Sequence, residues 1–394
     1  MKNWWHALTW VSLALLLMMG FGVPIQGYGE EILKIGIIAP LSGPGLSWGE
    51  NYILLPAEVL ADEVNAQGGL KVGGKVYKIK LIPYDDKYTG EGGVAAATRL
   101  VYEDKVKFIF GPISSASLLA IQPITEKAEV IVMGDTYTTK ALGPDKPFTF
   151  RITVPSDIFS DPFISWVHKK YPQLKSVVIF APNDETGRET GGPNEKGYKK
   201  VGINVLSTEY YQRAFPDMAP LITRMLPKKP DILETDGSAA GDAANIFKTA
   251  RAMGYKGQFV RTGGESTDAI IAAAGEAAEG MIYVTMDVPV INAELANFMA
   301  KLKAKRPDRP ATVGSASFYD AYKLFLKAVQ NAGTVEDTRK IKREIEAIKK
   351  YKGILGSYTW TGKEAYGIDH QIFAPMYVGQ VLGGQKKVVG QIVE

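Results

Sequence analysis

The chain has 394 residues, 46% of them hydrophobic and 22% charged, which is typical of a globular protein and excludes a disordered or fibrous one. Its 46 Lys and Arg nearly balance its 42 Asp and Glu, so the formal net charge of +4 argues against a nucleic-acid partner. There is no Cys, which excludes disulfides, thiolate nucleophiles and cysteine-ligated zinc.

Residues 1–29 have the features of a secretory signal peptide. Lys2 precedes an apolar run over 7–25, and the small residues Gly27 and Gly29 fit cleavage after Gly29. The run approaches the roughly 20 residues that span a bilayer, so a retained membrane anchor is the alternative. No Cys follows the run to carry a lipid. We therefore predict an exported, periplasmic protein that is not a lipoprotein.

The first part of the mature chain alternates apolar runs with helical patterns. The predicted strands cover 32–39, 76–84, 106–110 and 130–134. The predicted helices cover 52–65, 92–103 and a segment that begins at Ser114 or Ser115 and continues through Ala128. Pro56 interrupts the first helical pattern and predicts a kink or a late start there.

The same rhythm begins again after Arg151. The predicted strands are 176–180, 204–210, 231–235, 258–262 and 280–286. The predicted helices are 158–170, 193–200, 218–226, 239–253, 293–305, 315–332 and 335–350, and a hairpin at Gly383-Gly384 joins 376–382 to 386–393. The alternation predicts an α/β protein with two doubly wound, mostly parallel sheets and a ligand cleft between them.

Motifs for catalysis or cofactor binding are weak or absent in the sequence. Gly43, Gly45 and Gly49 form a GxGxxxG variant of the dinucleotide fingerprint, which we interpret as a turn after the first strand. His168 and His370 are far apart and have no Cys to complete a triad or a zinc site. We therefore predict no cofactor and no metal site. Paired carboxylates such as Asp85-Asp86 or Asp184-Glu185 leave an enzyme open, without positive support for one.

Polar residues at predicted strand ends favour ligand binding instead. Ser114 and Ser115 come at a helix N-terminus, where hydroxyls and free N–H groups suit a carboxylate, although plain capping needs only one serine. The run Asp135–Thr139 is polar and follows the fourth strand. Trp48 stands in the first strand-to-helix loop, where an exposed indole is costly unless a partner stacks on it.

The second unit has corresponding strand ends at 184–187, 236–239 and 263–266. Asp236 and Glu265 in these segments are candidates for holding a cation such as an ammonium group.

Several segments together resemble the branched-chain amino-acid-binding (leucine-binding-protein-like) branch of the type I periplasmic binding proteins. They are ILKIGIIAPLSGPGLSWGENY, DEVNAQGG, IKLIPYDD, IFGPISSAS, ARAMGYKGQFV and EAAEGMIYV. The resemblance covers 33–360. It implies two Rossmann-like lobes joined by a three-strand hinge, closure like a Venus flytrap, no catalysis, and delivery of the ligand to an ABC transporter permease.

The resemblance also assigns site residues in the first lobe. Ser115 matches a serine that holds the ligand carboxylate, and Thr136 and Thr138 match positions that bind the carboxylate and the ammonium group. Trp48 matches an aromatic residue that packs on the ligand side chain.

In the second lobe the sequence departs from the family pattern. Thr186 stands where an aromatic residue is common, Ala239 lies near another such position, and Glu265 lies near the ammonium-binding acid. Relatives bind aromatic acids and amides as well as amino acids, so these alternatives stay open for the ligand. A role as a ligand sensor for a signalling receptor stays open too.

The resemblance implies the domain boundaries as well. The first lobe is expected at 31–151 and 285–356, and the second at 152–284 and 357–394. The hinge is expected to cross near 151–154, 284–287 and 357–360.

Overall fold

The computed structural model of the protein describes residues 31–263, 266–288, 291–308 and 311–393. Within these ranges the chain forms two mixed, mostly parallel sheets. Strands of the first sheet are β1 Glu31–Ala39, β2 Leu70–Val72, β3 Lys75–Asp85, β4 Phe108–Phe110, β5 Ile131–Gly134, β6 Thr149–Arg151, β12 Tyr351–Lys352, β13 Ser357–Thr361 and β14 Gln371–Phe373. Those of the second are β7 Ser176–Pro182, β8 Asn204–Tyr211, β9 Ile232–Thr235, β10 Gln258–Arg261, β11 Ile282–Thr285, β15 Met376–Leu382 and β16 Gln385–Val393.

Both sheets reverse their strand order, the first next to β1 and the second next to β7. The first runs β12-β13-β14-β6-β5-β4-β1-β3-β2 and the second β16-β15-β11-β10-β9-β7-β8. β4 is parallel to β1 in the first sheet, and β8 and β9 are parallel to β7 in the second. Such reversals are where doubly wound sheets bind ligands, at the carboxyl ends of the strands.

Helices surround the sheets. Their bounds are Leu55–Ala66, Gly90–Thr98, Ser115–Thr125, Ser156–Lys170, Glu185–Lys200, Ala219–Met225, Ala240–Ala252, Thr267–Ala274, Ala293–Lys305, Ser315–Ala332, Thr338–Ala347 and the short Lys363–Tyr366. Alternate residues of a strand enter different hydrophobic clusters, as Ile37 and Ile38 of β1 do. Both faces of each sheet are therefore buried, which explains the nearly continuous apolar strands.

The predicted α/β class is confirmed, and most elements lie within a few residues of their predicted bounds. Pro56 is the second residue of its helix and follows a π-helical turn over Gly49–Leu54, so the helix starts late. Three helical segments in the described residues were not predicted: the first half of Glu185–Lys200, all of Thr267–Ala274 and the short Lys363–Tyr366. The sequence of the former, ETGRETGG, is rich in glycine, which disfavours helix.

The C-terminal segment requires a correction to the predicted domains. We assigned 357–394 to the second lobe, but β13 and β14 pair within the first sheet, β14 lying parallel to β6. The chain enters the second sheet only at Met376. Sequence periodicity identifies a strand but not its partner, and the residues paired here, Arg151 and Gln371, are distant in the chain. The other lobe boundaries stay predictions.

Candidate functional site

The loops at the two sheet reversals meet around one small cavity of about 40 Å³. The first sheet and its helices supply most of the wall, and Thr186 and Gly237 come from loops that follow β7 and β9. The described lining comprises Trp48, Tyr52, Tyr88, Ile113, Asp135, Thr136, Tyr137, Thr153, Thr186, Gly237, Met286 and Phe318.

Trp48 lies in the cavity wall, as predicted for a residue that packs on the ligand. A short helical turn after β1 carries it, and its ring centroid is 5.3 Å from that of Tyr88. The next residue, Gly49, allows this tight turn because a Cβ there would lie 2.1 Å from the carbonyl oxygen of Pro40. The glycine that we read as part of a permissive turn is thus required by a close backbone approach.

Helix capping and ligand binding were the two roles considered for Ser114 and Ser115, and the two serines differ in their contacts. Ser114 is the N-cap of helix Ser115–Thr125, and its Oγ accepts the N–H of Ser117 at 3.3 Å. The hydroxyl of Ser115 is fully buried and has no hydrogen-bond partner among the described residues. Neither serine is in the cavity lining, although Ile113 just before them is. Ser114 is therefore used as a cap, and Ser115 is the serine whose hydroxyl has no partner among the described residues.

Thr136 and Thr138 also differ. Thr136 lines the cavity, is 2% exposed, and its hydroxyl has no partner among the described residues. Thr138 is absent from the lining, its Oγ accepts the N–H of Lys140 at 3.3 Å, and its carbonyl accepts from Arg151 at 2.6 Å. The environment of Thr138 is that of a capping residue, whereas Thr136 is part of the cavity wall.

On the side of the second sheet, Thr186 lines the cavity and its Oγ is 3.2 Å from the hydroxyl of Tyr88. Asp236 is fully buried outside the lining, where the side-chain amide of Asn194 donates to its carboxylate. Burial, together with the neighbouring carboxyl of Glu234, raises the pKa of Asp236. Glu265, the other predicted cation ligand, lies outside the described residues.

Arg213, which the sequence did not single out, contacts elements of both sheets. Its guanidinium follows β8, pairs with Asp184 and donates to the carbonyl of Gly237 at 2.9 Å. It also lies 5.4 Å and 4.7 Å from the ring centroids of Trp48 and Tyr88, which belong to the first half of the chain. Arg213 thereby joins the aromatic wall of the cavity to the loops of the second sheet.

The aromatic wall was also largely missed. Tyr52, Tyr88 and Phe318 come from three distant segments, and a single sequence has no signal that brings them together. Asp135 and Tyr137, by contrast, lie in the polar run after β5, so the run was identified but these two positions were not selected.

No helix in the described ranges is long and apolar enough to cross a bilayer. No group of His, Asp or Glu in the same ranges is arranged to hold a metal ion.

Comparisons with known proteins agree on one family. A family model described as periplasmic binding protein matches residues 32–386. The chain is 22% identical over 352 residues to the Leu/Ile/Val-binding protein of Escherichia coli (strain K12). This alignment covers 87% of this chain and 90% of the relative.

Solved structures share the fold. A leucine-binding protein from Thermotoga maritima has a TM-score of 0.80 and 22% identity, covering 92% of this chain and 99% of the other. A solute-binding protein of an ABC transporter from R. palustris, solved in complex with benzoate, has a TM-score of 0.78 and 21% identity. Its alignment covers 92% of this chain and 96% of the R. palustris chain. At such identities these structures inform the fold and leave the ligand open.

Proposed function

This chain belongs to the periplasmic binding protein family, and from that premise we propose that it is the extracytoplasmic substrate-binding protein of an ABC uptake transporter. The family consists of solute-binding proteins without enzymatic activity. The proposed ligand is a small carboxylate-bearing solute, with an amino acid of the branched-chain type as the first candidate. The relative in Escherichia coli, named for binding Leu, Ile and Val, supports that candidate.

The observation that carries the proposal is the pair of buried hydroxyls on Ser115 and Thr136. Both lack partners among the described residues, and Ser115 begins a helix, whose N-terminal end favours an anion. An unpaired buried hydroxyl costs about 1–3 kcal/mol. A ligand carboxylate would remove that cost by accepting from both groups.

Closure of the lobes around the solute is the proposed mechanism. The cavity takes residues from loops of both sheets, so a ligand that fills it contacts both and stabilises their approach. We propose that the permease recognises the closed form. Export would require the signal peptide at 1–29, which lies outside the described residues.

An aromatic carboxylate is the second candidate ligand. Five aromatic rings line the cavity among the described residues, and flat rings pack well against one another. The R. palustris relative in complex with benzoate is consistent with this alternative. A sensor that hands its liganded state to a signalling receptor would use the same site, and gene neighbourhood would separate the two roles.

A thermal-shift screen of residues 30–394 against amino acids, aliphatic amides and aromatic carboxylates tests the proposal. A ligand at 100 times its Kd should add about 2.7 kcal/mol of stability, which raises Tm by a few degrees. Ser115→Ala combined with Thr136→Ala should abolish that shift. Thr125→Ala, a matched control, removes a buried hydroxyl that bonds only within its own helix and should keep the shift. Equal shifts in both variants would refute the site.

A further inference from the structure

We propose that a groove lined by lysines, separate from the cavity, binds an acidic amphipathic segment of a partner protein. The groove has a volume of about 810 Å³. Its walls come from helices Leu55–Ala66 and Ser315–Ala332, from β2 and from the segment that follows helix Thr338–Ala347. The inference does not rest on the proposed function, because no described residue lines both the groove and the cavity.

The charged side chains of the groove all have the same sign. Its described lining has no carboxylate and five lysines, which are Lys71, Lys323, Lys327, Lys349 and Lys350. None of the five forms an ion pair among the described residues. All of them except Lys323 are exposed. The groove therefore attracts anionic groups and repels cationic ones.

The acids of helix Leu55–Ala66, one wall of the groove, are paired elsewhere. All three form ion pairs with the neighbouring helix: Glu58 and Asp62 with Lys305, and Glu63 with Lys301. None of these five side chains is in the groove lining. This wall therefore leaves the positive charge of the groove for a partner to compensate.

Apolar side chains complete the lining. Val64 and Ile348 are partly buried and pack against the hydrophobic core, and Leu60 and Leu326 of that core also line the groove. Lysines beside an apolar surface fit a segment whose apolar face is flanked by Asp or Glu, as when an amphipathic helix binds in a groove. A flat anionic lipid surface would contact the exposed lysines alone, so the groove favours a protein segment.

Helix Ser315–Ala332 spans the distance between the groove and the cavity. Phe318 near its start lines the cavity, whereas Lys327 and Gln330 line the groove. At a rise of about 1.5 Å per residue, Gln330 lies about 18 Å along the helix axis from Phe318. The strands that contribute to the groove, β2 and β12, belong to the first sheet. A segment bound there can therefore stay in place whether or not the second sheet closes over a solute.

Fluorescence anisotropy with a synthetic probe tests the groove. The probe is a labelled peptide of about 15 residues, with leucines in the helical pattern of one apolar face and glutamates at the other positions. Two matched peptides replace every glutamate by glutamine or every leucine by serine. The wild-type chain should bind the first peptide, and either replacement should raise the Kd at least about tenfold.

Charge reversal in the groove provides the variant and its control. Lys327→Glu combined with Lys350→Glu changes two exposed lysines on different walls and should raise the Kd at least about tenfold. Lys229→Glu combined with Lys256→Glu makes the same change in net charge on two exposed lysines of another groove, whose lining includes Asp231. This control should keep the wild-type Kd, and thermal unfolding checks that both double variants fold.

Four results would overturn the inference. Equal weakening by both double variants would mean that net charge alone attracts the peptide. Equal affinity for the serine peptide would exclude an amphipathic occupant. Absence of binding to the glutamate peptide would exclude an acidic segment, and binding to phosphatidylglycerol vesicles in its place would assign the lysines to a membrane surface.

Solute binding is measured separately in the same variants. The double variant in the groove should keep the thermal shift of the wild type, because its lysines lie outside the cavity. Failure of the peptide to bind therefore leaves the proposed function intact, and failure of solute binding leaves the groove intact.

Discussion

Replacing Arg213 by lysine should weaken ligand binding without unfolding the protein. The guanidinium lies over the rings of Trp48 and Tyr88 while its fork holds Asp184 and the carbonyl of Gly237. Its side chain is 11% exposed, so these interactions are largely desolvated. Lysine keeps the charge opposite Asp184 but loses the planar stacking and the bidentate fork.

The size of the effect follows from the two cation–π contacts. Each contact contributes about 0.5–1 kcal/mol, so Arg213→Lys should destabilise the closed arrangement of the two sheets by about 1–2 kcal/mol. If the open form dominates without ligand, this loss makes the free energy of ligand binding less favourable by the same amount, and the apparent Kd rises accordingly. At about 1.4 kcal/mol per factor of ten, Arg213→Lys should weaken binding about 5- to 30-fold.

The assay is isothermal titration calorimetry with the ligand found by the thermal-shift screen, together with small-angle X-ray scattering of the free and bound forms. Arg188→Lys is the matched control. Arg188 lies 3.6 Å from the ring centroid of Tyr210 and bonds to Asn183, so its contacts stay within the second sheet and its helix. Arg188→Lys should keep wild-type affinity. If both variants have the same Kd as the wild type, Arg213 does not contribute to closure.

Three further predictions concern stability. Gly187→Ala should destabilise the fold and lower ligand affinity, because the new Cβ would lie 2.0 Å from the carbonyl oxygen of the last residue of β7. Gly192→Ala is in the same helix with open space around it, so it should stabilise the fold by up to about 1 kcal/mol. Guanidinium unfolding measures both changes in stability. Burial raises the pKa of Asp320 to about 6, so the folded state binds this proton more tightly than the unfolded state does. The free energy of unfolding should therefore fall as the pH rises from about 4 to 6. In Asp320→Asn this dependence on pH should be weaker, and an unchanged slope would contradict the assignment. Phe110→Ala should cost about 3–5 kcal/mol because its ring stacks on Tyr322 at 3.9 Å, and a loss below 1 kcal/mol by urea unfolding would mean that the core rearranges to fill the space.

Periodicity predicted most elements because both sheets are buried on both faces, which makes each strand a short, nearly continuous apolar run. It failed where local propensity and tertiary packing disagree. Residues 185–192 contain three glycines, yet they are helical, with the carboxylate of Asp184 accepting the N–H of Gly187 at 2.9 Å to cap the helix. Gly187 is required there because any side chain would strike β7. A single sequence shows the glycine but not the strand against it.

The candidate site was predictable where one loop supplies it and unpredictable where distant segments meet. Trp48, Thr136 and Thr186 line the cavity, and each stands just after a predicted strand. Thr138 shares the loop of Thr136 but is used as a cap, a difference that depends on backbone geometry. Asp236 stands at a strand end like the others, but its side chain is buried beside Asn194.

The late return of the chain to the first sheet sets the order in which the protein can fold. β14 lies beside β6, with Gln371 opposite Arg151, and the N–H of Arg151 donates to the carbonyl of His370 at 2.8 Å. During synthesis, that edge of the first sheet stays unpaired until nearly the whole chain has emerged, whereas β7 to β11 can already associate. Contacts so distant in sequence slow folding. The first sheet, although it begins with the first strand of the chain, is therefore expected to be the later of the two to be completed.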